Sequence, residues 1–240
     1  MTRPTIDIRR RTLLKWFMTG GLFMFAGGPR ALRAMGSRPE AQGIHELEGD
    51  VRVNGKPARV GLTIQPGDVV ETGPDSRVVF LAGDDVFLLR DNTRLAVSGG
   101  PESAKNGAID YLKVANGKVL SVFGRGRKGI RTDTAVIGVR GTGLYIEARS
   151  THTYVCACYG KVEMAALAAP DHRIQVSTRH HEQPRYIYAG GRERLIGPAP
   201  MMNHTDAELI FLESLAGRKP PFVGSSVKKY KGRSGGGGGY

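Results

Sequence analysis

From Ile44 to Met164 the chain repeatedly interrupts itself. Short runs rich in β-branched and apolar residues alternate with glycine or proline steps, and no stretch there carries the periodicity of an amphipathic helix. The runs are Val51–Val53, Arg59–Thr63, Asp68–Glu71, Arg77–Leu81, Val86–Leu89, Thr93–Val97, Ile109–Val114, Lys118–Phe123, Leu144–Ala148 and Tyr154–Cys158. Asn54-Gly55, Pro66-Gly67, Gly73-Pro74, Gly83-Asp84-Asp85, Asn116-Gly117 and Tyr159-Gly160 separate them as turns. Asn-Gly between extended runs is a hairpin signal, because both residues tolerate the positive φ of the tight turn. The prediction is an all-β fold, an antiparallel short-strand β-sandwich or a solenoid-like β-roll, since both use this turn grammar.

After Gly191 the grammar changes. Asn203-His204-Thr205-Asp206-Ala207-Glu208 opens a helix, with Thr205 or Asn203 as cap and two acids at its positive end. Leu209, Leu212 and Leu215, with Phe211 beside them, supply the apolar stripe, and Gly217 and Pro220-Pro221 end it. So short a helix needs tertiary packing, and the expectation is that it lies against the β-domain.

The net charge of +13 sits in the two tails. Residues 1–36 carry seven Arg/Lys and one Asp, residues 217–240 carry six Arg/Lys and no acid, and 37–216 is close to neutral. A basic folded face would point to nucleic acid; a near-neutral folded part does not, and no nucleic acid is expected. Residues 1–36 read as an export signal. Arg10-Arg11-Thr12-Leu13-Leu14-Lys15 has the form of a twin-arginine motif, a glycine-diluted apolar stretch Trp16 to Gly28 follows, and Ala34-Met35-Gly36 offers a cleavage site. That predicts a periplasmic protein, membrane-anchored if the signal stays on. The route carries chains already folded, often around a cofactor. The expected organisation is export signal 1–36, β-domain 37–165, a β extension with the helix over 166–223, and a flexible basic tail 224–240 able to touch anionic lipid or envelope polymers.

Several motifs share one order along the β-region: Gly49-Asp50-Val51-Arg52-Val53, Ile64-Gln65-Pro66-Gly67-Asp68-Val69-Val70-Glu71-Thr72-Gly73, Ser76-Arg77-Val78, Gly117-Lys118-Val119, Ile130-Arg131-Thr132-Asp133-Thr134-Ala135, Val139-Arg140-Gly141-Thr142-Gly143 and Tyr159-Gly160-Lys161-Val162. In this order and spacing the segment 46–165 resembles the FecR domain family. The resemblance implies a periplasmic or membrane-associated β-domain that works through protein contacts. Its best-known members relay a transport signal through a cytoplasmic domain and a transmembrane helix. The 36 residues ahead of the β-runs are too few for such a domain, so the expectation is an exported binding module rather than an iron-transport relay. Within the motif, Arg140, Gly141 and Thr142 are expected to form a structural turn. Gly141 would sit where a side chain would clash or where φ is positive, and the Arg140 guanidinium, lying in an apolar run, would be buried and pin neighbouring turns, with contact to a ligand anion as the alternative.

Two cysteines are an addition to that pattern. On a strand, Cys156 and Cys158 point to one face with Cα atoms about 6.6 Å apart, near the limit of disulfide geometry. Two thiols that pair poorly can hold a soft metal, zinc, copper, iron or an iron–sulfur cluster, with His180 and His181 as partners. Adjacent residues on a strand face opposite ways, so a strand would give only one of these histidines to the site and His204 could replace the other; a loop could give both. The alternatives are a strained disulfide or inert buried thiols. No nucleophile elbow, phosphate loop or zinc-protease helix is present. The sequence therefore predicts a non-enzymatic exported protein that binds a protein or envelope component, with a metal-binding or redox role as the second reading.

Overall fold

A computed structural model describes residues 41–100 and 109–224. The motif Arg10, Arg11, Leu13, Leu14, Lys15 and the glycine-rich end of the tail lie outside the described residues. The strands are β1 (Gly43–Glu48), β2 (Val51–Val53), β3 (Lys56–Pro57), β4 (Val69–Thr72), β5 (Arg77–Ala82), β6 (Asp85–Leu89), β7 (Arg94–Ser98), β8 (Tyr111–Val122), β9 (Lys128–Arg131), β10 (Ala135–Ala148), β11 (His152–Ala166), β12 (Ile174–Thr178), β13 (Arg185–Tyr188) and β14 (Ile196–Pro198). One helix, α1 (Asp206–Leu215), follows them. Among the described residues the fold is all-β with a single C-terminal helix. The strands form one hydrogen-bonded sheet, antiparallel except where β8 runs parallel to β9. Among the described residues no helix is long and apolar enough to cross a membrane.

Most runs become strands within a residue or two. Arg59–Thr63 does not: it is a loop tied to β1 by Ile44 N–H donating to the Leu62 carbonyl (2.9 Å) and Gly61 N–H to that of Ile44 (2.8 Å). Two of the turn signals are also not turns. Asn116-Gly117 lies inside β8 and Tyr159-Gly160 inside β11.

Both are corners where a long strand changes partners. β8 pairs with β7 through residues 111–116 and with β6 through 119–122. β11 pairs with β13 through 152–155 and with β12 through 160–164. β10 pairs with β9 through 136–139 and with β8 through 143–148, with a register irregularity between Arg140 and Gly143. Strands that bend and switch partners fold one sheet over on itself. Glycine is required at two of these corners. A Cβ on Gly117 (φ 96°) would stand 2.4 Å from Thr93 Cα, and one on Gly160 (φ 94°) would stand 3.0 Å from the Gly141 carbonyl oxygen.

The Arg140-Gly141-Thr142 segment is therefore an irregularity within β10. Gly141 has φ 57°, as expected, and Thr142 is buried with its hydroxyl donating to the Arg140 (3.0 Å) and Lys161 (3.2 Å) carbonyls. Arg140 itself is exposed, contrary to the buried guanidinium expected of it. Val139 takes the core position, and strict alternation turns Arg140 outward.

Two apolar clusters result. The larger fills the interior of the folded sheet, with Val78, Phe80, Leu95, Leu112, Ile137, Val155 and Ala157 among its members. The smaller lies on the opposite face, where Val79, Leu81, Leu88, Leu120, Tyr145, Tyr154, Cys156 and Cys158 are covered by Leu209, Leu212 and Leu215 of α1. Burying each leucine of that stripe stabilises docking by roughly 1.5–3 kcal/mol. The N-terminus of α1 is closed by a capping box: Thr205 Oγ1 accepts from Glu208 N–H (3.3 Å) and Glu208 Oε2 accepts from Thr205 N–H (2.8 Å).

Candidate metal centre

Between the stretches of β11 paired with β13 and with β12, residues 156–159 lack a neighbouring strand on that side. The loop joining β12 to β13 fills the gap. Thr178 Oγ1 donates to the Ala157 carbonyl (2.8 Å) and His181 N–H to that of Cys158 (3.0 Å). The loop is held by Glu182, whose Oε2 accepts from the backbone N–H of Arg179 (2.7 Å) and His180 (3.0 Å). His180 and His181 are thus loop residues, and His181 takes φ 58°. The left-handed conformation breaks strand alternation and turns the His181 ring inward over the cysteines.

His204 arrives from the segment ahead of α1. Tyr154 pins this segment: its hydroxyl donates to the Pro200 carbonyl (2.9 Å) and accepts from Met202 N–H (3.3 Å). The His204 ring stacks on Tyr145 with centroids 4.5 Å apart.

Cys156, Cys158, His181 and His204 converge, each offering one ligand atom, with all four atoms within 4.8 Å of one another and all four residues buried. Both cysteines are free, and both are fully buried on the helix-covered face. Of the histidines expected beside them, His181 joins and His180 does not. His180 Nε2 instead donates to Asp206 Oδ1 at 2.8 Å, and His204 completes the quartet.

The hydrogen bonds fix which nitrogens point inward. His204 Nδ1 lies 2.7 Å from the Met202 carbonyl oxygen, an acceptor only, so it carries a proton. His181 Nε2 lies 3.1 Å from Asp206 Oδ1. Burial works against the Asp206 carboxylate, but the hydrogen bonds and charge of His180 and then His181 overcome this and keep it ionised, so Nε2 also carries a proton. The remaining nitrogens, His181 Nδ1 and His204 Nε2, face each other at 3.1 Å, and His181 Nδ1 is 3.4 Å from Cys156 Sγ.

The thiols differ. A hydrogen bond from Cys158 lowers the Cys156 thiol to about 4 against the opposing effect of burial, with His181 and His204 adding to the fall. Cys158 is pushed up by burial and by the neighbouring Cys156 charge. Burial alone would lower His181, but Cys156 and Asp206 raise it. Without a metal this is a thiolate–imidazolium pair with a second thiol beside it. The Cys156 thiolate is the form that binds metals.

A tetrahedral zinc with bonds of about 2.3 Å to sulfur and about 2.0 Å to nitrogen sets N···N near about 3.3 Å and N···S near about 3.5 Å. The contacts of 3.1 and 3.4 Å already match edges of that tetrahedron. A two-iron cluster would place the cysteines and histidines on separate irons. Here a histidine nitrogen and a cysteine sulfur are in contact, which suits one ion.

Sequence reading missed the supporting residues. Asp206 reads as a first-turn helix acid, and nothing local indicates that it anchors two histidines. Tyr154 could have been found from alternation, because Tyr154, Cys156 and Cys158 share one face of β11.

No family model matches the chain, so the FecR resemblance rests on its motifs, and no curated protein matches it. Among solved structures, two crystal structures of a candidate anti-sigma factor from Parabacteroides distasonis, at 2.50 and 1.65 Å resolution, are similar at 15% and 14% identity, each with a TM-score of 0.44. Each match covers 55% of this chain and 58% of that one. Agreement at this level carries no functional argument.

Proposed function

We propose that this protein is a non-enzymatic β-domain that binds one zinc-class ion through Cys156, Cys158, His181 and His204. The observation that carries this is the pair of inward nitrogens. Both histidines spend one N–H on a fixed outer acceptor, which turns their second ring nitrogens toward each other beside two sulfurs. In a buried site two facing lone pairs need a proton or a cation between them. The His181–Asp206 contact also has the carboxylate–histidine–metal form that orients metal-binding imidazoles. Four protein ligands leave no open coordination position, the mark of a structural rather than a catalytic zinc site.

The twin-arginine-type motif supports the same reading, because that route exports chains already folded, often around a cofactor. The proposal therefore includes export to the periplasm and a role as a binding module whose fold the ion secures. The test is metal analysis of the full chain, purified natively under reducing conditions. It should hold close to one equivalent of metal, and Cys156→Ser, Cys158→Ser and His204→Ala should each lose it while His180→Ala keeps it. A wild-type chain that takes up no zinc, even when reconstituted, would refute the site.

A further inference from the structure

The near-neutral charge of residues 37–216 hides a segregated surface. On β9 to β12, Ile130, Val139, Val162 and Val176 point into the larger core, so their strand neighbours point out. Register places those neighbours in two rows. Arg140 lies opposite Lys161, and Lys161 opposite Ser177. Beside them Gly129 lies opposite Gly138, Gly138 opposite Glu163, and Glu163 opposite Gln175. Gly138 lowers the floor while the Tyr111 ring lies against Gly129, and a groove of about 850 Å³ runs across the four strands with Arg127 and Arg173 at its sides.

The charges in this groove are arranged at a cost to the fold. Like charges directly opposite on antiparallel strands are destabilising, yet Arg140 and Lys161 occupy such a pair. Among the described residues neither has a carboxylate within ion-pair distance. The acid in the groove, Glu163, is held by Arg173 at 2.8 Å, and the Arg127 charge also acts on it. A Cβ on Gly138 would meet nothing within 4 Å, so the floor is open to a ligand.

We infer that this groove binds an extended acidic glycan. The Arg140–Lys161 pair would take a carboxylate of the polymer. Ser177, in line with those cations, and Gln175, which bonds Glu163 in the neighbouring row, offer neutral donors and acceptors for ring hydroxyls. Among the described residues one aromatic ring, that of Tyr111 against Gly129, stands at the edge of the groove and none lies within it, so the groove lacks the row of stacking platforms by which single-stranded nucleic acid is held.

The test is binding of the full chain to alginate, a polyuronate, with a single-stranded oligothymidine and neutral dextran as comparisons. Wild type should bind alginate with steep salt dependence, in preference to both. The Arg140→Ser/Lys161→Ser variant should bind about tenfold more weakly or worse, with unchanged zinc content. It carries the same basic tails, so any loss belongs to the groove. Lys161→Glu separates recognition from folding: it pairs with Arg140, so it should melt no lower than wild type while losing alginate. Unchanged alginate affinity in either variant would overturn the inference. So would oligothymidine bound as tightly as alginate and lost in the same variants, which would make the groove a site for phosphate polymers.

Discussion

His181 holds its ring in the core from a backbone at φ 58°, and Asn203, next to the other buried histidine, sits at φ 61°. Left-handed backbone at residues other than glycine costs on the order of 1 kcal/mol or more, so both histidine-bearing segments are kept in conformations the chain would not choose alone. Asp206 is the anchor for one of them. Asp206→Ala should therefore leave the four ligands in place but weaken zinc binding roughly 10- to 100-fold, measured by competition with a chelating dye. Wild-type affinity in that variant would show that the carboxylate does not orient the ring. The ligand types were legible as residues, since two cysteines two apart on a strand must share a face. The choice between His180 and His181 was not, because it depends on the left-handed turn at His181. The inclusion of His204 depends on a segment pinned by Tyr154 across 46 residues of chain.

At the level of elements, strand positions were largely readable and connections were not. A glycine at positive φ serves equally a hairpin turn or a corner within a long strand, and Asn116-Gly117 and Tyr159-Gly160 are corners. Local sequence encodes the dihedral angle, while pairing of both halves of the strand decides whether the chain reverses. Gly160→Ala should destabilise the fold by about 1–3 kcal/mol in urea, since its Cβ would crowd Thr142 and the Gly141 carbonyl as well as strain the backbone. A variant as stable as wild type would mean that the corner relaxes freely. The helix was legible from its caps. Thr205→Ala should cost about 1 kcal/mol through loss of the capping box, and it should also lower metal affinity, because Thr205 fixes the chain between His204 and Asp206.

Across the whole molecule the proposed metal site joins three distant segments: β11, the loop between β12 and β13, and the approach to α1. An ion bound there would tie the helix and loop to the sheet and stabilise the native state in proportion to its affinity. Chelation should therefore lower the melting temperature of wild type and leave that of Cys156→Ser/Cys158→Ser unchanged. Net charge, read as a sum, concealed the basic groove, because alternation on four adjacent strands segregates what composition averages. The most direct test of the account is X-ray absorption at the zinc edge of the loaded full chain. It should show a four-coordinate shell of two sulfurs and two imidazole nitrogens, and Cys158→Ser, which loses the ion, should give no such shell. A shell of oxygen and nitrogen alone, or one with a variable number of sulfurs, would contradict it.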